Sequence, residues 1–296
     1  MRPAKVLFVG VLLLFLTVVQ LSAQLLFSDG FENYVGGGNP LDKNYASGPN
    51  AAPNGSGNPW FGPAPPNARV VSTENGVAPH GGLQMVRGSA PSDLDENWVN
   101  LGYRYNGGSA FSGNLMLDWW FYDPLGSGGS NLRDFAALGF YNTAPGGTDY
   151  PGTGSLNSST QIQRLSLGAS SSTGTGYDAT VYQARVVGAT DGYTSGGWFN
   201  LGTSRSVGWH HGRIVVGAAL GDGTATVSFY IDDMLSPALT HNSTTSWGIN
   251  VIELNTNYGS TTGYFDDISL TLVPEPGTAS LLVFGAACWL GWRRRK

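Results

Sequence analysis

The stretch from Leu115 to Tyr122, LMLDWWFY, sets a carboxylate among aromatic rings in a run that alternates with period two. Read as a strand, it presents Leu115, Leu117, Trp119 and Phe121 on one face and Met116, Asp118, Trp120 and Tyr122 on the other. The first face is core. The second has the composition that stacks on a sugar ring and hydrogen-bonds its hydroxyls, which makes Asp118, Trp120 and Tyr122 candidate ligand-binding residues. Trp60, Trp98, Tyr193 and Trp198 stand in loops or at strand starts from which they would extend it. The competing reading is burial, the usual fate of large rings. Near the other end of the chain Asp266 alternates with Tyr264, Ile268 and Leu270. That pattern puts a carboxylate on an apolar face, where it needs a partner.

Other arrangements are weaker. Asp93-Leu94-Asp95-Glu96-Asn97 opens like a calcium loop, but Trp98 stands at its sixth position, where glycine is needed, and Arg104 at its twelfth, where a glutamate is needed. It reads as a solvated acidic loop. His210 and His211 are adjacent, so on a strand they point to opposite faces and do not chelate one ion together. Catalysis finds little footing. There is no Gly-x-Ser-x-Gly elbow. The glutamates between the two chain ends are Glu32, Glu74, Glu96 and Glu253, and no two share a strand as a retaining glycosidase pair about 5 Å apart would require. The sequence reads as non-enzymatic.

The elements that must hold these residues are short strands. Leu25–Glu32, Val99–Tyr105, Leu115–Tyr122, Ile162–Leu167 and Ala179–Val187 read as strands, as do Trp209–Val216, Ala225–Ile231, Val251–Leu254 and Tyr264–Leu272. Residues 35–66, rich in Gly, Pro and Asn, read as a long loop containing Trp60 and Phe61, and residues 146–159 as a second. No long amphipathic helix is evident. The pattern predicts an all-β, two-sheet antiparallel sandwich.

Both ends address the chain to a membrane. Arg2 and Lys5 precede an apolar run, Val6–Val19, and Leu21-Ser22-Ala23 ends in small residues, the order of a secretory signal peptide over residues 1–23. At the other end Val273-Pro274-Glu275-Pro276 leads into an apolar run, Ala279–Trp292, closed by Arg293, Arg294, Arg295 and Lys296. As helix, the run from Pro276 spans roughly 25 Å at 1.5 Å per residue. That is short for a hydrocarbon core of ~30 Å, and the terminal cations would stay cytoplasmic. The whole chain has net charge −5; its ends hold six of the fifteen cations and one acid, Glu275, which leaves −10 on residues 24–272. Such a surface disfavours nucleic acid and suits cations or neutral polymers. The single cysteine, Cys288, lies in the tail run, so residues 24–272 have no disulfide.

The order of Pro-Glu-Pro, apolar span and basic end resembles the PEP-CTERM sorting domain of Gram-negative bacteria. The resemblance covers residues 273–296, with Val273, Pro274, Glu275 and Pro276 as the motif and Arg293, Arg294 and Arg295 as the basic end. It implies an exosortase as processing partner, passage across the inner membrane with the C-terminal helix as anchor before processing, and a destination at the cell surface or in extracellular polysaccharide. The alternative is a plain membrane anchor.

A second resemblance lies within residues 24–272. Gly208-Trp209-His210-His211, the turn Gly221-Asp222-Gly223, the run Val227–Asp233 and the closing stretch Tyr264–Leu270 resemble laminin-G-like and other concanavalin A-like jelly rolls. Asp233 stands where that pattern has glycine. In such folds the first and last strands often pair, which would bring Asp29 and Glu32 to Asp266 and Asp267 as an oxygen cage for a structural calcium ion. The expected function is that of an exported, non-catalytic surface or matrix protein. A lectin-like module and a glycan-degrading enzyme are the alternatives.

Overall fold

The alternating runs fold as strands because each offers an apolar face to a core while strand pairing satisfies its backbone. The computed structural model describes residues 23–34, 39–40, 60–61, 69–88, 95–107, 109–128, 133–141, 161–170, 178–187, 198–217, 224–235, 239–242, 248–256 and 262–273. In chain order the first strands are β1 (Gln24–Asp29), β2 (Asn39–Pro40), β3 (Trp60–Phe61), β4 (Arg69–Val71), β5 (Met85–Arg87) and β6 (Asp95–Asn100). A short helix, α1 (Leu101–Tyr105), precedes β7 (Leu115–Asp123), β8 (Arg133–Tyr141), β9 (Gln161–Ser170), β10 (Val181–Val187) and β11 (Trp198–Ser204). The last are β12 (Gly208–Val216), β13 (Thr224–Ile231), β14 (Met234–Leu235), β15 (Leu239–Asn242), β16 (Val251–Thr256) and β17 (Tyr264–Leu272). Leu25–Leu272 form one compact unit, and Met1–Gln24 with Val273–Lys296 a second. The signal segment and the tail helix expected from the sequence lie outside the described residues. Among the described residues no helix is long and apolar enough to cross a membrane.

Two sheets result. The ten-stranded sheet runs β14-β13-β12-β7-β17-β5-β4-β2, with β1 on β17 and β15 on β13, and the seven-stranded sheet runs β11-β10-β9-β8-β16-β6-β3. The fold is the all-β, two-sheet antiparallel sandwich that the sequence predicts, and its first and last strands pair. Leu117, Trp119 and Phe121 of β7, Ile214 of β12 and Phe229 of β13 share one buried cluster with Leu138, Leu165, Leu167 and Ile252 of the other sheet. Each such side chain stabilises the fold by about 1.5–3 kcal/mol. Trp119 fits because Gly212 lies opposite it on β12; a Cβ there would collide with the indole. The β13–β14 turn is made by Asp232 and Asp233, both at positive φ (50° and 62°), so aspartates take the left-handed positions more often given to Asn-Gly.

Several expectations are corrected. Trp60 and Phe61 lie on a strand paired with β6, not in a loop. Asp95–Asn97, read as part of an acidic loop, belong to the strand Asp95–Asn100, which pairs with β16. The strand expected over Val99–Tyr105 stops at Asn100, and Leu101–Tyr105 is helical. The sequence pattern also does not predict β4, β5, β8, β11, β14 and β15. In β8 every residue from Asp134 to Gly139 is buried, so its two faces do not differ enough to produce alternation.

Candidate functional site

The outer face of the ten-stranded sheet carries the residues that the sequence singles out. On β7 the odd positions are buried, and Asp118, Trp120 and Tyr122 are half-buried on the opposite face. Pairing with β12 sets His211 beside Trp120, Arg213 beside Asp118 and Trp209 beside Tyr122. Two imidazoles stack on Trp120: His80 at 3.7 Å between ring centres and His211, nearly parallel, at 5.1 Å. Tyr122 meets Trp209 and Tyr264 edge-on. Asp118 Oδ1 accepts from Arg213 Nε at 2.6 Å and lies 3.0 Å from His211 Nε2. Burial pushes this carboxyl up, but the His211 and Arg213 hydrogen bonds and charges outweigh it and hold Asp118 below the ordinary carboxylate range. The face is thus knit into itself, with the Trp120 indole already engaged by two imidazoles.

His210 and His211 point to opposite sides, as their adjacency requires. His210 lies against Phe121 and Tyr182, with Nδ1 2.7 Å from Asp232 Oδ2. His210 is buried and links the β12 edge to the Asp232 turn.

The acids near the chain ends are positioned by a bulge. β17 pairs with β7 through Phe265 and Asp266, then resumes at Ser269 after a shift in register. Asp267 sits there at φ 47°. The extra residue reverses which parity faces the core: Phe265 before it and Ile268 and Leu270 after it all lie in the main cluster. Asp266 is therefore not on the core-facing side with Ile268 and Leu270, as strict alternation predicts. It lies opposite Trp120 on the outer face and is buried there. Burial raises its pKa to about 7, helped by the neighbouring Asp267 charge.

Glu32, Asp266 and Asp267 converge on the segment from His80 to Gln84. Glu32 Oε1 accepts from the Leu83 and Gln84 amides, both at 2.8 Å; Asp266 Oδ2 accepts from the Gly81 amide at 3.0 Å; Asp267 Oδ2 lies 2.9 Å from His80 Nδ1. A Cβ on Gly81 or Gly82 would collide with Asp267 or Glu32 respectively, so the two glycines let the carboxylates close on the backbone. Asp29 belongs to another group. Its oxygens accept from Trp60 Nε1 (2.8 Å), the Phe31 amide (2.8 Å) and Tyr34 Oη (3.3 Å), and burial raises its pKa to about 6. Trp60 is fully buried beside Phe27 and Phe31, so it does not extend a ligand face. The four-acid cage is not assembled: Asp29 is spent on Trp60, and N–H donors hold oxygens of the other three. Among the described residues no group of three or more His, Cys, Asp and Glu side chains is placed to hold a metal ion.

The outer face of the seven-stranded sheet carries polar residues that the sequence reading missed. Arg164 of β9 pairs with Glu253 of β16 across β8, and both are buried. The small residues Ala137 and Gly139 lie beneath them at the paired positions of β8. Glu253 also accepts from Asn255 and Tyr141, and burial raises its pKa against the opposing Arg164 charge. Ser166 and Gln183 are fully buried, and Ser166 Oγ and Gln183 Oε1 have no hydrogen-bond partner. Trp198, half-buried on β11, packs edge-on against Phe135 at 4.9 Å. The only sequence signal was a run of polar residues inside strands that otherwise read as core.

No curated protein matches the chain in sequence. Among solved structures, it is similar to a carbohydrate esterase from the Shiga toxin-encoding bacteriophage phi24B (14% identity, 86% of this chain and 100% of that one, TM-score 0.46). It is similar also to the carbohydrate recognition domain of Emp47p (11% identity, 86% and 98%, TM-score 0.47). A third is an endo-beta-1,4-glucuronan lyase from the fungus Trichoderma reesei (11% identity, 71% and 89%, TM-score 0.40). These are remote likenesses, and none bears on what this chain binds. The tail is another matter: residues 272–296 match the PEP-CTERM protein-sorting motif, so this chain carries that signal and is marked for export and exosortase processing.

Proposed function

We propose that the chain is a non-catalytic component of the bacterial surface or extracellular matrix, and that its sandwich associates with a neutral polysaccharide through the outer face of the seven-stranded sheet. The observation that carries this reading is Trp198, half-buried at the margin of that face and set edge-on against Phe135 at 4.9 Å, which supplies a ring for a sugar to stack on. The charge of −10 on residues 24–272 weighs against an anionic polymer. Glu253 is tied to Arg164, which is a poor state for a general acid or base.

Affinity electrophoresis through gels containing neutral polysaccharides tests this reading. Wild type should be retarded by at least one, and Trp198→Ala should lose most of that retardation at unchanged thermal midpoint. Trp120→Ala should keep it. No retardation in any gel would remove the glycan reading, and loss in Trp120→Ala alone would move the contact to the other sheet.

The clasp on residues 80–84 gives a separate expectation. Glu32→Gln should lower stability by about 1–2 kcal/mol, since one oxygen serves two amides there. Urea unfolding of the two chains measures it, and an unchanged midpoint would mean that the segment is held by other contacts.

A further inference from the structure

At one end of the sandwich two paired positions of one sheet face two paired positions of the other. In the ten-stranded sheet Gly88, just after β5, donates its amide to the carbonyl of Gly263, just before β17, at 2.9 Å. In the seven-stranded sheet Asp134 at the start of β8 pairs with Thr256 at the end of β16. Asp134 has the parity of Ala136 and Leu138, and Thr256 that of Ile252 and Leu254, so both side chains point between the sheets. Each meets a glycine there. A Cβ on Gly263 would collide with the Asp134 carboxylate, and one on Gly88 with the Thr256 hydroxyl. Asp134 is 0% exposed and Thr256 7%, yet Asp134 Oδ1, Asp134 Oδ2 and Thr256 Oγ1 have no hydrogen-bond partner.

We propose that this corner holds a hard, oxygen-seeking cation, bound by Asp134 and Thr256 and bridging the two sheets. Charge is the first reason. The other charged groups acting on Asp134 are Asp123 and Arg205, and these already pair with each other. Two carboxylates and one guanidinium leave one negative charge uncompensated in the interior, which is a costly state. Distance is the second. Asp134 and Thr256 make no hydrogen bond to each other, so a proton on Asp134 would leave the Thr256 hydroxyl unserved. Directly paired residues hold their Cβ atoms about 4.5–5.5 Å apart. A cation with oxygen ligands at about 2.3–2.6 Å spans such a gap. The donor set is the third: carboxylate and hydroxyl, with backbone carbonyls and water to complete the shell, select calcium or sodium over softer metals. The two glycines let the Asp134 and Thr256 side chains reach across to the other sheet.

The test uses the full-length chain in detergent, stripped with chelator, followed by thermal unfolding as calcium or sodium chloride is added back. The expected result is a rise of about 6 °C or more at saturation with one of the two ions, and which ion it is identifies the occupant. Asp134→Asn should abolish the rise, and Asp267→Asn, at the clasp on the other face, should keep it. Thr256→Val conserves shape, so it covers the case in which the asparagine variant does not fold. It should move the midpoint of the ion titration at least fivefold higher without lowering the ion-free unfolding temperature. The proposal is overturned if neither ion shifts wild type, which would leave a proton or a bridging water at the corner. It is overturned equally if Thr256→Val titrates like wild type, or if Asp267→Asn rather than Asp134→Asn removes the response.

Discussion

Replacing Arg205 with methionine should lower the stability of the sandwich by about 3–5 kcal/mol, the usual cost of stranding one half of a buried ion pair. Arg205 and Asp123 side chains are both 0% exposed. Nε donates to Asp123 Oδ2 at 2.8 Å and one terminal nitrogen to Oδ1 at 3.0 Å, while the other donates to the Ala179 carbonyl at 2.9 Å. The same carboxylate caps the turn after β7 through the Leu125 and Gly126 amides, at 2.9 and 2.8 Å. One guanidinium therefore joins the end of β7 in one sheet to the segments flanking β10 and β11 in the other. Methionine keeps the length and loses every donor. Asp123 would be left charged in the interior with only two amides, and nearby Asp134 would lose the cation that offsets it. At about 2–4 °C per kcal/mol for a domain of this size, the unfolding temperature should fall by about 10 °C. The double variant Asp123→Asn with Arg205→Met should recover part of the loss, because the stranded charge is gone. Urea unfolding of the four chains measures the coupling. A loss below about 1 kcal/mol in Arg205→Met would mean that the pair only balances its own desolvation.

Replacing Pro274 and Pro276 together with alanine should abolish processing while leaving export intact. Proline fixes φ and disfavours helix at the residue before it, so the sequence of the motif favours an extended backbone that an enzyme can engage. Alanine removes that restriction and favours helix through the motif, which would withdraw the backbone from an active site. Intact mass and fractionation in the native host read the outcome. Wild type should lack Arg293–Lys296 and sit in the surface fraction; the variant should keep those residues and stay in the inner membrane. A variant cut like wild type would mean that the match over residues 272–296 is read through the apolar span and the basic end alone.

Much of the fold was legible because its signals are local. Alternation marked β7, β12 and β17, where one face meets core and the other does not. Where both faces are buried the signal vanished, and β8 was missed for that reason. The candidate site was less legible. Strict alternation puts Asp266 on the core side because it takes no account of a bulge, and the bulge after Asp266 depends on pairing with β7, more than a hundred residues away. Trp60 looked like a loop residue in a Gly- and Pro-rich stretch. What buries it is Asp29 accepting its indole N–H across 31 residues of chain.

The sequence by itself determined the address and the class of fold. A sorting signal is a linear order of proline, apolar span and cations, and a sandwich follows from period-two runs separated by turns. Both are short-range properties that a chain displays before it folds. Only the tertiary structure decided which polar groups lack partners. Arg164 meets Glu253 over two small residues of an intervening strand, Trp120 is closed in by His80 from a distant segment, and Asp134 faces Gly263 across the sandwich. Whether a buried oxygen is satisfied depends on what the other sheet presents to it, and no local pattern carries that information.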